Sequence, residues 1–198
     1  MGRVVLAIDQ GTTGSTVALM DARGVLRGSV NFEFPQIYPQ PGWVEHRPTD
    51  IWHSVGKGIS AILRKKICKP SEIVAIGITN QRETALLWDR DTGEPLNNAV
   101  VWQCRRTTDF CESLRAAGHE QSVRRKTGLL LDPYFSASKF RWLLKNTRGI
   151  SRLLQSGRVA AGTIDSFLIW QLSGGDTHVS DVSNASRTSL MNLKTVSW

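Results

Sequence analysis

Residues 7–24 read AIDQGTTGSTVALMDARG, a stretch that puts a turn rich in glycine and threonine between two apolar runs. The flanking runs predict two short strands, Val4–Ile8 and Thr16–Met20. Gly11 and Gly14 predict a tight turn with positive φ between them. Three hydroxyls and Asp9 are more than a turn requires; exposed N–H groups suit an anion and a carboxylate suits hydrated Mg²⁺. An ordinary turn rich in Asp and Thr is the alternative.

The composition is that of a globular protein, with 40% apolar and 21% charged residues in 198. This length supports one substantial core or two small ones. No apolar run is long enough to cross a membrane, so we expect no membrane partner. The three cysteines form no CxxC pair, which favours reduced thiols and a cytoplasmic location. The four histidines lack metal-ligand spacing, so zinc is not expected.

The net charge of +8 raises nucleic acid as a partner. The basic residues are dispersed, however, and their small clusters at residues 64–66 and 124–126 lie near predicted helix ends. Cations are ordinary at helix C-termini, and no nucleic-acid-binding motif accompanies them. We therefore expect a solvated basic surface and no nucleic-acid partner.

The order of predicted elements indicates a mixed α/β sheet flanked by helices. Further strands are predicted at Val25–Phe34, at Ile73–Thr79, at Thr84–Asp89 and Pro95–Trp102 around an Arg90–Gly93 turn, and at Val159–Ile164. Helices are predicted from residue 49 or 50 to 66, at Arg105–Ala117, at Ser136–Asn146 with Ser136 as cap, at Ser151–Gln155 and at Ser166–Leu172. The nearly all-apolar run Ile73–Thr79 predicts a strand buried on both faces.

Polar or aromatic motifs follow two of these strands, where ligands gather in open α/β sheets. Arg82 and Glu83 offer a donor fork and an acceptor that suit ligand hydroxyls, although a surface ion pair is the simpler interpretation. Trp102 suits the wall of a small pocket, although an aromatic side chain there is more often core. Two residues of the predicted 136–146 helix, Lys139 and Trp142, are not explained by its amphipathic pattern.

Taken in order, the motifs resemble the glycerol kinases of the FGGY carbohydrate kinase family. They are Asp9–Thr13, Pro41–His46, Asn80–Thr84, Trp102-Gln103 with Arg106-Thr107, Tyr134–Asn146 with Lys139 and Trp142, and Asn184–Thr188. The resemblance covers essentially all 198 residues and matches the N-terminal domain of that family. It implies a ribonuclease-H-like fold of the actin/hexokinase type, with ATP and Mg²⁺ bound between two domains.

The resemblance also implies residue roles. Asp9 would organise Mg²⁺, and Gly11, Thr12 and Thr13 would face the ATP phosphates. Glycerol would be bound by four residues: Arg82, Glu83 and Tyr134 through its hydroxyls, and Trp102 through its carbon backbone. The implied product is glycerol 3-phosphate. We also expect a cytoplasmic protein, and the sequence leaves open whether it forms a homo-oligomer.

Two departures from the family pattern limit this expectation. Thr16 stands where glycerol kinases usually carry an arginine, so a cation that would stabilise the transferring phosphoryl group is missing. The family's general-base aspartate is expected beyond Trp198, as is the adenine-binding domain; Asp165 and Asp181 do not match the motif around that base. We therefore expect negligible phosphorylation by these 198 residues alone. A non-catalytic polyol-binding or regulatory relic and a kinase for another polyol or sugar are the alternatives.

Overall fold

The computed structural model describes residues 2–198. The strands are β1 (Val4–Gln10), β2 (Gly14–Asp21), β3 (Leu26–Glu33), β4 (Glu45–His46), β5 (Ile73–Asn80), β6 (Leu86–Asp89), β7 (Ala99–Val100) and β8 (Val159–Gly162). The helices are α1 (Pro48–Arg64), α2 (Thr108–Ala116), α3 (Glu120–Thr127), α4 (Ser136–Asn146), α5 (Ile150–Gln155), α6 (Ile164–Leu172) and α7 (Val182–Ala185). The chain divides into two compact units, residues 2–36 with 49–81 and residues 37–48 with 82–198.

The first unit is built on a mixed four-stranded sheet in the order β3-β2-β1-β5. β1 pairs antiparallel with β2 and parallel with β5, so the predicted mixed sheet is confirmed. Alternate residues of β1 and β2, such as Leu6, Ile8, Val17 and Leu19, are at most 2% exposed. The apolar side chains of α1, including Ile51, are buried in the same unit, because an amphipathic helix covers one face of the sheet.

The prediction that the strand at residues 73–79 is buried on both faces is wrong for this chain. β5 pairs with β1 along one edge, and no strand within residues 2–198 pairs with its other edge. Val74 is 54% exposed and Ile76 49% exposed. An apolar run therefore identified the strand correctly, while its burial depends on neighbours that the run itself does not specify.

The second unit carries two small antiparallel sheets, β4–β7 and β6–β8, and six helices. All four residues of β6 are buried, and Trp88 packs edge-on against Phe167 with ring centroids 5.6 Å apart. A second apolar cluster joins β6, β7 and α4 through Leu87, Val100 and Leu143. Burial of each such side chain stabilises the folded state by roughly 1.5–3 kcal/mol relative to leaving it exposed.

Several element boundaries differ from the predictions. The helix predicted from residue 105 begins at Thr108, and α3 was not predicted. The turn at Arg90–Gly93 is present, with Gly93 at φ 74°, but the strand expected after it is reduced to β7 and an isolated bridge at Pro95. Short strands and helix ends depend on tertiary pairing, which local sequence does not specify.

Ser136 is not the cap of α4. Phe135 occupies the N-cap position, and Ser136 is the first helical residue. Its hydroxyl instead donates to the backbone carbonyl of Glu83 at 3.1 Å. A long-range acceptor has therefore replaced the local capping bond that the sequence suggested.

The three cysteines, at positions 68, 104 and 111, are all unpaired. Within the described part of the chain, no helix has both the length and the apolar character that spanning a membrane requires.

Candidate functional site

The turn between β1 and β2 is closed by a backbone hydrogen bond and packs closely against β3. Gly11 N–H donates to the Gly14 carbonyl at 2.8 Å, and neither glycine has positive φ, so that part of the prediction is wrong. A β-carbon on Gly14 would lie 2.9 Å from the carbonyl oxygen of Phe32 in β3. Glycine is therefore required here because a neighbouring strand passes too closely for a side chain.

The two threonines of the turn are held through their carbonyls. Phe34 N–H donates to the Thr13 carbonyl at 3.2 Å, and the Gln36 amide donates to the Thr12 carbonyl at 2.9 Å. The Thr13 side chain is exposed, and neither its N–H nor its hydroxyl bonds to another residue between 2 and 198. An N–H and a hydroxyl oriented by a braced turn are suitable donors for a phosphate oxygen.

Replacing Gly14 by alanine is expected to lower the free energy of unfolding by about 1–3 kcal/mol. The added β-carbon would be forced against the backbone of Phe32. Gly56→Ala within α1 is the matched control, because no atom outside the local helix backbone lies within 4 Å of its β-carbon position; it should stabilise by about 0.5–1 kcal/mol. Urea unfolding of both variants provides the measurement, and equal effects would contradict the close-approach argument.

Asp9 lies on the open face of the first unit's sheet. Its neighbours in register are Thr16 on β2 and Thr79 on β5, and these three residues line an open cavity of about 310 Å³. The Asp9 side chain is exposed, and its carboxylate makes no hydrogen bond or ion pair with any residue from 2 to 198. The Thr16 hydroxyl accepts a hydrogen bond from Asn31 at 2.9 Å.

This arrangement fits a weakly ligated, hydrated Mg²⁺. No group of three or more acidic, histidine or cysteine side chains within residues 2–198 could hold a metal ion. Mg²⁺ in nucleotide sites is commonly bound by one or two carboxylates, with waters and phosphate oxygens completing its octahedron. A single free carboxylate beside two hydroxyls is suited to that role.

In the second unit, Glu83 occupies a strained and buried position. Its φ is 62°, and it is 2% exposed. Its carboxylate oxygen Oε1 accepts a hydrogen bond from Arg187 Nε at 2.5 Å. Left-handed backbone at a non-glycine residue costs about 1–3 kcal/mol and is concentrated at functional sites. The contacts of Ser136 and Arg187 therefore hold this residue in an unfavourable conformation.

An aromatic pair lies in the same unit. The rings of Trp102 and Tyr134 meet edge to face, with centroids 5.5 Å apart, and both side chains are half-buried. The Arg187 guanidinium carbon lies 5.7 Å from the Tyr134 ring centroid. Arg82 is exposed, and its guanidinium bonds to no residue from 2 to 198. The structure therefore links Glu83 to Tyr134 through Arg187 and Tyr134 to Trp102, while Arg82 stands free.

Lys139 is one of the two residues that the amphipathic pattern of α4 does not explain, and its contacts show why a lysine stands there. It is fully buried, and its Nζ donates to the backbone carbonyls of Tyr134 and Phe135, at 3.1 Å in the second case. Burial lowers the pKa of Lys139 from 10.5 to about 7. The lysine thus fixes the backbone that carries the Tyr134 ring.

Lys139 is expected to make stability depend on pH. Between about pH 7 and pH 10.5 the unfolded chain retains a proton on this lysine that the folded chain has released, so the free energy of unfolding should rise with pH in that window. Lys139→Met should flatten this rise, whereas Lys145→Met, an exposed position of the same helix, should retain it. Urea unfolding at intervals between pH 7 and 10 measures both, and an unchanged slope in Lys139→Met would contradict the assignment.

The sequence indicates no role for Arg106, and the structure shows what surrounds it. Its side chain is fully buried, with the guanidinium carbon 3.9 Å from the Trp43 ring centroid and 4.5 Å from that of Trp142. It pairs with Glu45 at 2.7 Å and donates from Nε to Cys104 Sγ at 3.0 Å. This stack accounts for Trp142 as a structural residue.

The aspartates that the sequence left unassigned have structural partners. Asp165 is buried and accepts hydrogen bonds from Thr163 at 2.5 Å and Ser180 at 2.6 Å. Asp181 is the N-cap of α7 and accepts from the Asn184 N–H at 2.8 Å. Neither carboxylate is free in the way that Asp9 is.

Residues 4–198 match the model of the FGGY family of carbohydrate kinases, N-terminal domain. The chain belongs to this family. A glycerol kinase of Halothermothrix orenii is 51% identical over 196 residues, which are 99% of this chain and 39% of that protein. This FGGY-family chain therefore spans about two fifths of the length of the curated relatives that it matches.

Solved structures of FGGY kinases share the fold. Plasmodium falciparum glycerol kinase with ADP gives a TM-score of 0.90 at 35% identity, covering 100% of this chain and 39% of the other. Gluconate kinase of Lactobacillus acidophilus gives 0.86 at 26% identity, covering 99% and 38%. These neighbours confirm the family resemblance and the actin/hexokinase-type α/β fold.

Proposed function

We propose that this chain forms the N-terminal domain, residues 1–198, of an ATP-dependent glycerol kinase that makes glycerol 3-phosphate. The observation that carries the proposal is the set of side chains in the second unit: a buried carboxylate, a free guanidinium and an aromatic pair. Similarity to curated glycerol kinases over nearly all of this chain, at 51% identity, supports it, whereas the gluconate kinase is only 26% identical. The alternative of a kinase for another polyol or sugar has no comparable observation in its favour.

The chemistry of a small polyol matches these groups. Its hydroxyls can donate to the Glu83 carboxylate and accept from Arg82, and its carbon chain can pack against the faces of Trp102 and Tyr134. A buried carboxylate oxygen that loses its hydroxyl donor is left without a hydrogen bond, and such sites reject substrates lacking that hydroxyl. We therefore assign substrate binding to these four residues.

The first unit is assigned to nucleotide phosphate binding. Gly11, Thr12 and Thr13 would face the phosphate oxygens, with the N–H and hydroxyl of Thr13 as donors to them, and Asp9 would hold Mg²⁺. An ion held there would supply positive charge that stabilises the transferring phosphoryl group. Thr16 adds a hydroxyl and no positive charge, so another cation is needed for the role of the family's arginine.

In the proposed reaction a glycerol hydroxyl oxygen bonds to the γ-phosphorus, the bond from that phosphorus to the β–γ bridging oxygen breaks, and ADP leaves. The hydroxyl proton needs an acceptor, and we assign that task to neither Asp165 nor Asp181, since both are engaged in structural hydrogen bonds. Phosphoryl transfer depends on positioning and charge stabilisation, so an incomplete set of catalytic groups transfers the phosphoryl group poorly.

The proposed location is the cytoplasm, and the three unpaired cysteines support this proposal.

The test is glycerol-dependent ADP release with Mg-ATP, on the 198-residue chain and on the longest polypeptide that its gene encodes. We expect turnover in a longer polypeptide and negligible turnover in the 198 residues. Gluconate and xylulose in place of glycerol test the alternative substrates. Silence in every form, together with retained glycerol binding by NMR, would replace the kinase by the polyol-binding relic.

A further inference from the structure

Arg187 contacts two of the four residues assigned to glycerol, although no substrate role was predicted for it. Its Nε donates to Glu83 Oε1 at 2.5 Å, and its guanidinium carbon lies 5.7 Å from the Tyr134 ring centroid and 5.0 Å from that of Phe135. We propose that Arg187 is a positioning residue that fixes the Glu83 carboxylate and the Tyr134 ring for polyol binding. This inference rests on the proposed function.

The carboxylate geometry gives the first argument. Arg187 occupies Oε1 of Glu83, whereas Oε2 receives no hydrogen bond from residues 2–198. A carboxylate held through one oxygen presents the other in a fixed direction, so a ligand hydroxyl meets an oriented acceptor. The Ser136 bond to the Glu83 carbonyl fixes the backbone, but Arg187 alone bonds to the carboxylate among these residues.

The surrounding charges give the second argument. Burial acts to lower the pKa of Arg187, but hydrogen bonding and charge pairing with Glu83, and a hydrogen bond with Tyr134, raise it above its ordinary value. Lys139 also interacts electrostatically with Glu83, but its Nζ is directed to the carbonyls of Tyr134 and Phe135. Arg187, in contrast, contacts both the Glu83 carboxylate and the Tyr134 ring.

The location of Arg187 gives the third argument. It follows α7 in a short segment whose fold is fixed at both ends, since Asp181 caps α7 and the Thr188 carbonyl accepts from Ala137 N–H of α4 at 2.8 Å. A guanidinium on such a segment loses little side-chain freedom on pairing. The segment Asn184–Thr188 thus has a function that its polar, turn-prone composition did not indicate.

A double-mutant cycle on glycerol affinity tests the proposal. Glycerol dissociation constants are measured by ligand-observed NMR for the wild-type chain, Arg187→Met, Arg187→Lys, Glu83→Gln and the Arg187→Met/Glu83→Gln pair. We expect Arg187→Met to weaken glycerol binding about 10- to 100-fold. In the Glu83→Gln background the same change should matter less than about twofold, because the carboxylate that it orients is gone.

Two comparisons separate positioning from a purely structural role. Arg187→Lys retains the charge but not the fork, and should recover part of the affinity, which also keeps the test valid if Arg187→Met does not fold. Arg141→Met is the matched control, because this arginine stacks on Phe110 at 3.9 Å in the same unit and should leave glycerol affinity unchanged. In the longest encoded polypeptide, KM for glycerol should rise while KM for ATP stays the same.

The outcomes are distinct. Folded Arg187→Met with wild-type glycerol affinity overturns the inference and leaves the proposed function standing. Additive effects of the two changes in the cycle also overturn it, because independent residues do not share one interaction. Absence of glycerol binding in wild-type protein of either length overturns the proposed function and the inference together.

Discussion

Replacing Arg106 by methionine is expected to lower the free energy of unfolding by about 3–5 kcal/mol. The guanidinium is fully buried between Trp43 and Trp142, and its ion pair with Glu45 is shielded from water. Removing it leaves the Glu45 carboxylate, whose side chain is 14% exposed, with the Asn98 amide at 2.8 Å as its one remaining partner among residues 2–198. Urea unfolding at neutral pH measures the loss.

The adjacent arginine provides the control for this prediction. The Arg105 side chain is 57% exposed and pairs with a partly exposed Asp132 at 3.3 Å, so Arg105→Met should change the free energy of unfolding by less than about 1 kcal/mol. Similar losses at both positions would mean that burial does not determine the effect. Arg106→Lys tests the geometry, since an ammonium cannot stack between two indoles as a planar guanidinium does.

Asp9→Asn is expected to reduce phosphoryl transfer by a factor on the order of 10² or more, as measured by ADP release in the longest polypeptide that the gene encodes. The amide removes the negative charge that the proposal assigns to Mg²⁺. Stability should be unchanged, because the Asp9 carboxylate bonds to no residue from 2 to 198. The split between lost turnover and retained stability is the result that identifies a metal-binding role.

Asp176→Asn is the control for Asp9→Asn, since Asp176 is an exposed aspartate of the other unit. It should leave both turnover and stability unchanged. If raised Mg²⁺ partly restores Asp9→Asn, weakened metal binding is the cause. A variant that keeps wild-type turnover at every Mg²⁺ concentration would remove Asp9 from the site.

The sequence, together with the family resemblance, named most of the residues proposed for the candidate site, and their roles remain predictions. Asp9 lies near the end of β1, a strand whose position was predicted, and the Gly11–Thr13 turn follows that strand. Local chemistry favoured an anion and a cation there over an ordinary turn only once the family resemblance was added. Glu83 was identified by motif, but its buried position and positive φ were not predicted. Arg187 lies 104 residues away from its partner, and no local pattern announces a contact of that separation.

Lys139 and Trp142 also show what local sequence does not determine. The sequence marked both as unexplained by an amphipathic helix, and the structure supplies different reasons for each. Lys139 bonds to the carbonyls that precede its own helix, whereas Trp142 stacks on Arg106. The sequence of a helix shows which residues depart from its amphipathic pattern. It does not show which distant groups those residues contact.

The parts of the fold determined by local sequence are those whose energetics are local. Alternating burial in β1 and β2 and the Asp21–Gly24 turn follow from side-chain periodicity and from the low cost of positive φ at Gly24. Tertiary structure decided the rest. It exposed the apolar face of β5, made close packing the reason for Gly14 and joined Glu83 to Arg187. These features depend on which distant groups lie nearby, and burial and ion pairing are properties of that neighbourhood.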